Sequence, residues 1–399
     1  MTTGNVTKPF PVQLRNAIRV DSVLLGVSVS LLLGGLIILA SASISIADNS
    51  SGDPFYYVSR QAVAAFLGGI AACICLFVPM DVWRRTGPLM LLVAFGLLLA
   101  VFVPGVGYTA NGSTRWIRLG FLNVQASELA RLCLIIYFAG YLVRHNKTLG
   151  EQFSSFLKPI IVLVISCCLL LAEPDFGAVV VLVAIAVAMM FVAGARLRDF
   201  FIFVSLAIAL LASLAVTRQY RLERLTGFLD PWADPYGGGF QLTQSLIAIG
   251  RGEWFGVGLG ESVQKLFYLP DAHTDFVFAV YAEEFGLFGS IALIILFAVL
   301  IWRIFALAIK AASFERFFEA YLAIGIGTWL GLQAFVNIGV NMGLLPTKGL
   351  TLPLISYGRS SLIITMVSLG ILLRIYHELE QDKPRNWRIT TEKQKGGRK

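Results

Sequence analysis

Ten predominantly apolar stretches recur along the chain, near residues 22–46, 59–80, 86–104, 124–143, 158–173, 175–194, 199–217, 275–302, 317–341 and 356–376. Each is close to the roughly 20 residues that cross a hydrocarbon layer about 30 Å thick. Inside lipid the backbone must satisfy its own hydrogen bonds, so a chain written this way folds as a bundle of helices. Composition agrees: 14% of the residues are charged and mean hydropathy is +0.77, against about 25% charged in soluble domains. The expectation is an all-α polytopic membrane protein with ten transmembrane helices. The first stretch exceeds the core of a cleavable signal and reads as an uncleaved anchor. All five cysteines lie inside these stretches, at spacings that suggest neither zinc ligation nor a disulfide framework.

Lys and Arg placement sets the expected orientation. With the N-terminus in the cytoplasm, the inner set holds Lys8, Arg15 and Arg19, Arg84 and Arg85, Arg144, Lys147 and Lys158, Arg196 and Arg198, Arg303, Lys310 and Arg316, and the tail from Arg374 to Lys399. Every predicted inner loop is then basic, so both termini are expected to be cytoplasmic. The net charge of +8 follows from anchoring against anionic membrane lipid and implies no nucleic acid.

Residues 1–21 read as a cytoplasmic tail, 22–376 as one helical membrane domain, and 377–399 as a basic tail expected to be disordered. Two outer loops stand out. Residues 105–123 combine turn formers with Arg115, Trp116 and Arg118, and residues 218–274 form the large loop between the seventh and eighth helices. Loops that long are usually functional or disordered. Leu222, Leu225 and Leu229 at helical spacing predict an interfacial helix over 218–230, and "QLTQSLIAIG" (241–250) predicts a second amphipathic helix.

Ionisable residues inside transmembrane helices are costly, which makes them functional candidates. At 1.5 Å per residue, Glu128 and Arg131 lie roughly 6 to 10 Å below the outer end of the fourth helix. Asp175 is expected to cap the sixth helix and Asp275 the eighth. Lys348 and Arg359 precede or open the tenth. Such groups converge on the outer leaflet and predict a polar cavity there, with capping and snorkelling as the structural alternative for any one of them. In "LPDAHTDFVFAVYAEEFG" (269–286), a continuous helix puts Glu283 about 80° around and roughly 12 Å below Asp275, with Glu284 nearly opposite. Asp275 is therefore the water-facing acid, while Glu283 and Glu284 need buried partners and read as structural or interhelical. His273 either orients a substrate or caps. A carboxylate near water can act as general base on a hydroxyl, and Arg and Lys can hold phosphate oxygens. Trp116 either stacks on a sugar or anchors at the interface. Transfer from a lipid-linked phosphate to a sugar hydroxyl suits these groups, and composition leaves enzyme and transporter level. Nucleotide-binding glycine motifs are absent from the sequence.

Five long motifs, in order, resemble the SEDS family (shape, elongation, division and sporulation) over all ten stretches: "NGSTRWIRLGFLNVQASELARL" (111–132), "EPDFG" (173–177), "FLDPWADPYGGGFQLTQSLIAIGRG" (228–252), "GVGLGESVQKLFYLPDAHTDFVFAVYAEEFG" (256–286) and "NMGLLPTKGLTLPLISYGRSS" (341–361). The last is worded more like the family's division members than its elongation members. The resemblance implies an inverting peptidoglycan glycosyltransferase that polymerises lipid II during septal wall synthesis, in the bacterial cytoplasmic membrane at the division septum. Asp275 would be its catalytic base, deprotonating the acceptor GlcNAc 4-hydroxyl that attacks MurNAc and expels undecaprenyl pyrophosphate. Substrate-binding candidates matched to the motifs are Arg115, Trp116, Arg118, Glu128, Arg131, Asp175, Lys265, His273, Thr274, Lys348, Ser356 and Arg359, with Glu128 and Arg131 paired. A divalent cation, magnesium or manganese, has Asp275 or Asp175 as its candidate ligand. The implied partners are a class B penicillin-binding protein, met through helices eight and nine, and other divisome membrane proteins. A lipid II flippase and a non-enzymatic divisome scaffold are the alternatives. Three residues depart from the family pattern: Ala126 for Pro, Glu173 for Gln, and Arg359 for Gly. The added Arg359 cation is expected to contact phosphate or Asp175.

Overall fold

The computed structural model describes residues 18–110, 113–119, 122–216 and 227–382. In chain order its helices are α1 (Ser22–Ser51), α2 (Tyr56–Phe77), α3 (Met80–Arg85), α4 (Gly87–Ala100), α5 (Ala126–Arg144), α6 (Asn146–Leu149), α7 (Phe153–Ala172), α8 (Phe176–Val192), α9 (Leu197–Val216), α10 (Phe240–Arg251), α11 (Val277–Ser313), α12 (Phe317–Asn341) and α13 (Arg359–Gln381). Every apolar stretch is a helix. Eight are long and apolar enough to cross a membrane, and α4 and α8, with 14 and 17 residues, are shorter. The helix expected at 241–250 is α10. The one expected over 218–230 falls mainly outside the described residues, as do both chain ends.

α5, α12 and α13 occupy the centre of the bundle, and α2 and α9 its periphery. Lipid supplies no hydrophobic drive between helices, so close approach of small residues does the packing. A Cβ placed on Gly370 of α13 would stand 2.7 Å from the Ala72 Cα of α2. Leu134, Ile135, Met189, Ile326 and Trp329 fill the middle of the bundle. Cys73 and Cys168 face outward and the cysteines are unbridged.

The fold is not purely helical. The 105–123 segment carries an antiparallel sheet of β1 (Gly107–Ala110), β2 (Ser113–Leu119) and β3 (Leu122–Gln125), in the order β1-β2-β3. Trp116 pairs with Tyr108 on one side and Gln125 on the other. β3 runs straight into α5, so the sheet fixes where that helix begins.

The eighth stretch is likewise not one continuous helix. α11 breaks at Gly286, whose φ of 67° and ψ of −161° suit glycine. Backbone from the long loop fills the break: Leu287 and Phe288 N–H groups donate to the Glu253 and Trp254 carbonyls at 2.8 and 3.2 Å, and Val257 and Gly258 N–H groups donate to the Glu283 and Glu284 carbonyls at 3.0 and 3.1 Å. The groups freed by the break are therefore paired, as burial requires.

α13 continues to Gln381, five residues beyond the expected end, because ion pairs hold its last turns. Glu378 meets Arg374 at 2.8 Å, and Glu380 meets Lys310 at 2.5 Å. Asp21, assigned to the N-terminal tail, caps α1 through the Val23 and Leu24 N–H groups and meets Arg303 at 2.6 Å. This end of the bundle thus carries the basic residues expected of the inner face, several of them matched by acids.

Candidate active site

At the opposite end, four elements bring polar side chains together. Gln125, Ser127, Glu128 and Arg131 come from the β3–α5 junction, Asp175 from the turn before α8, Asp275 from the turn before α11, and Lys348 to Ser361 from the connection into α13. That connection leaves the end surface and re-enters the bundle. A Cβ on Gly35, near the middle of the 30-residue α1, would lie 2.7 Å from the Ile355 Cα. Gln61 of α2 anchors it from both sides, donating to the Ser356 carbonyl at 3.1 Å and accepting from the Gly358 N–H at 3.2 Å. Irregular backbone at membrane depth is tolerable when protein buries it in this way.

Asp175 caps α8, accepting from the Ala178 N–H at 3.1 Å, and its other oxygen accepts from Ser127 Oγ at 3.2 Å and Gln125 Nε2 at 3.4 Å. Glu128 is 5% exposed and takes a long bond of 3.4 Å from Ser360 Oγ, which joins α5 to α13. Arg131 and Glu128 feel each other's charge, one turn apart on α5, without a direct salt-bridge contact. The Arg131 guanidinium stands 5.3 Å from the centre of the Trp329 ring. Arg115 is committed to backbone, donating to the Glu173 and Pro174 carbonyls at 3.2 and 2.5 Å and so fastening β2 to the 173–175 turn. Arg118 lies over the Tyr108 ring at 4.5 Å, and Trp116 is half-buried within β2. Glu173 is 1% exposed and neither of its carboxyl oxygens has a partner among the described residues. Burial, and then Asp175, push its pKa up to about 8 against the pull of Arg115.

Asp275 does not cap α11. The helix starts at Val277 without a side-chain cap, and Asp275 sits two residues earlier in a turn. Its backbone carbonyl accepts from Asn337 Nδ2 at 2.9 Å and Asn341 Nδ2 at 3.0 Å. Its carboxylate lies against the re-entrant connection, where a Cβ on Gly349 would be 2.9 Å from Oδ2. Neighbouring Lys348 reaches the Phe176 ring, 3.9 Å from its centre, at the start of α8. Gly349 and Lys348 thus link the Asp275 turn to the Asp175 turn. His273 packs against Tyr57 and Tyr357, with ring centres 4.6 and 5.8 Å away, and burial lowers its pKa although Asp271 opposes the shift. Thr274 bonds back to the Asp271 carbonyl at 3.2 Å. Ser356 accepts the Leu352 N–H at 2.8 Å and is part of the connection's own framework. Arg359 opens α13 at the same end.

Lys265 is not open to a phosphate. It is 6% exposed and donates to Glu284 at 2.9 Å, Ser41 Oγ at 2.9 Å and the Gly260 carbonyl at 2.7 Å. Glu283 pairs with Arg251 at 2.9 Å and accepts from Ser262 Oγ and the Val263 and Gln264 N–H groups. Both acids therefore clamp the long loop onto the short helical segment that follows Asp275.

Sequence reading passed over Gln333, Asn337 and Asn341, an i, i+4, i+8 polar stripe on an otherwise apolar helix. That spacing was the available signal. Gln333 donates to the Thr351 carbonyl at 2.9 Å, and Asn337 to the Leu350 carbonyl at 2.6 Å. Among the described residues no three His, Cys, Asp or Glu side chains group to hold an ion, so the magnesium or manganese expected here would rest on a single carboxylate, Asp275 or Asp175, together with substrate phosphate.

The family model for the cell cycle proteins FtsW, RodA and SpoVE matches residues 22–381. A relative from Thioalkalivibrio sulfidiphilus, described as a probable peptidoglycan glycosyltransferase FtsW, is 54% identical over 375 residues, covering 93% of each chain. One of the same description from Hahella chejuensis is 51% identical over 358 residues, covering 90% of each. Among solved structures, a chain from a peptidoglycan synthase complex that coordinates polymerisation and crosslinking is 30% identical with a TM-score of 0.75, over 92% of this chain and 100% of that one. The rod shape determining protein RodA of Thermus thermophilus is 29% identical with a TM-score of 0.67 and the same coverage. Matched to the family model over residues 22–381 and about half identical to such relatives over most of its length, the chain belongs to the FtsW/RodA/SpoVE family, the SEDS proteins.

Proposed function

We propose that the chain is a peptidoglycan glycosyltransferase of the division type, polymerising lipid II with Asp275 as general base. The observation that carries this is the lodging of the Asp275 carboxylate in a non-helical turn against the Gly349 backbone, next to Lys348, which reaches the Phe176 ring beside Asp175. The acceptor GlcNAc 4-hydroxyl would give its proton to Asp275 as its oxygen attacks the MurNAc anomeric carbon. The bond to the pyrophosphate oxygen then breaks and its electron pair leaves with undecaprenyl pyrophosphate. A base so placed contributes about 10²- to 10⁴-fold, and Lys348 and Arg359 supply positive charge for the leaving group.

On this reading the Asp275 end faces away from the cytoplasm and the ion-paired end faces the cytoplasm, with ten crossings and both termini inside. That arrangement agrees with the basic residues at the ion-paired end. A flippase needs a polar path between the ends. Here Ile135, Leu182, Ile185, Met189 and Ile326 fill the middle of the bundle, which favours polymerisation. A class B penicillin-binding protein at the septum is the proposed partner. α11 offers it an apolar outer face through Phe288, Ile291, Ile295 and Trp302, whereas α12 is mostly buried and offers Phe335. Purified protein given labelled lipid II, assayed for both glycan strands and translocation in vesicles, tests the proposal. Strands are expected, and translocation without strands would replace it with the flippase.

A further inference from the structure

Resting on the assignment of Asp275 as base, we propose that Asn337 and Asn341 of α12, together with the bare backbone of Gly349, are the positioning elements that hold the Asp275 carboxylate in place. Both asparagines are fully buried on one face of α12. Asn341 holds the Asp275 turn twice, donating to the Asp275 carbonyl at 3.0 Å and accepting the Ala279 N–H at 3.1 Å. Asn337 bridges two separate segments, donating to the Asp275 carbonyl at 2.9 Å and the Leu350 carbonyl at 2.6 Å. One amide group therefore sets the distance between the Asp275 turn and the connection that carries Lys348 and Gly349.

Two further observations argue against a packing role alone. Asn337 Oδ1 is buried with no hydrogen-bond partner among the described residues. An unsatisfied buried acceptor is costly, and it is carried here by the side chain whose amide nitrogen ties the Asp275 carbonyl to the Leu350 carbonyl. On the far side of the turn, Gly349 presents no Cβ where one would stand 2.9 Å from Asp275 Oδ2. Ala at that position would push the carboxylate without removing any of the Asn337 and Asn341 amide bonds. The base is thus gripped through its backbone from α12 and bounded at its carboxylate by the connection.

Displacement of a reacting group by about 1 Å can cost about 10²-fold in rate. The test uses the full chain with labelled lipid II and compares Asn337→Leu, Gly349→Ala and Asp275→Ala for kcat, KM and thermal midpoint. Expected are kcat values about 10- to 100-fold lower for Asn337→Leu and Gly349→Ala, with KM near wild type in both, the thermal midpoint near wild type in Gly349→Ala, and a fall of only a few degrees in Asn337→Leu from the unpaired Leu350 carbonyl. Wild-type kcat in both, with Asp275→Ala inactive, would overturn the positioning role while leaving the base in place. Full activity in Asp275→Ala would overturn the base assignment itself and this role with it. A fall in thermal midpoint that fully accounts for lost activity in both variants would also overturn it, leaving the residues as scaffold.

Discussion

Removing the Lys265 ammonium separates a structural cation from a substrate-binding one. Lys265 and Glu284 form an ion pair of 2.9 Å whose side chains are 8% and 0% exposed. In Lys265→Met, Glu284 keeps the Ser41 hydroxyl as its donor among the described residues. Leaving one member of a buried pair uncompensated costs about 3–5 kcal/mol. At about 2 °C per kcal/mol, the thermal midpoint should drop by roughly 6–10 °C. Replacing both members, as Lys265→Met with Glu284→Gln, removes the stranded charge and should recover most of the loss. The neighbouring pair offers an internal comparison: Arg251→Met should cost less, because Glu283, itself fully buried, keeps the Ser262 hydroxyl and the Val263 and Gln264 N–H groups as donors. The assay is thermal unfolding of detergent-purified protein followed by tryptophan fluorescence, run beside lipid II kinetics. An unchanged midpoint in Lys265→Met with a raised KM would refute the reasoning and return Lys265 to the substrate.

Glu173 gives a pH-dependent prediction. Its folded pKa, about 8, lies above the unfolded value, so its contribution to stability is full below about pH 4.3 and is lost as pH rises towards 8. Glu173→Gln should remove that decline, giving a thermal midpoint higher than wild type at pH 9 and a gap that narrows by pH 6; parallel profiles would exclude it. Arg359→Gly should raise KM for lipid II several-fold if the added cation holds phosphate; unchanged activity and affinity would show that it does not.

Hydropathy made all ten helices legible because lipid imposes one demand on every span, an apolar surface about 20 residues long. It is blind to what polar groups do inside protein. Thus Lys265 read as a phosphate ligand, although Glu284, 19 residues away in sequence, folds back onto it. The break at Gly286 escaped notice because the flanking residues stay apolar and the bonds that compensate it come from residues 253–258. The start of α11 at Val277, two residues after Asp275, invalidates the continuous-helix geometry from Asp275 to Glu283, although the division of labour it suggested agrees with the partners of Glu283 and Glu284. The small sheet was hidden by turn formers around "STRWIRL", a short segment with no apolar core of its own. Asn337 and Asn341 were visible only as a spacing, whose meaning depended on the carbonyls that α12 meets.

The central claim is that the Asp275 carboxylate takes the acceptor's proton. Its most direct test is lipid II polymerisation by wild type and Asp275→Asn, which keeps the size and the backbone contacts of the residue while removing the base. The account predicts glycan strands from wild type, a loss of about 10²-fold or more in kcat for Asp275→Asn, and matching thermal midpoints and lipid II affinities. Strands formed at the wild-type rate by Asp275→Asn would contradict it.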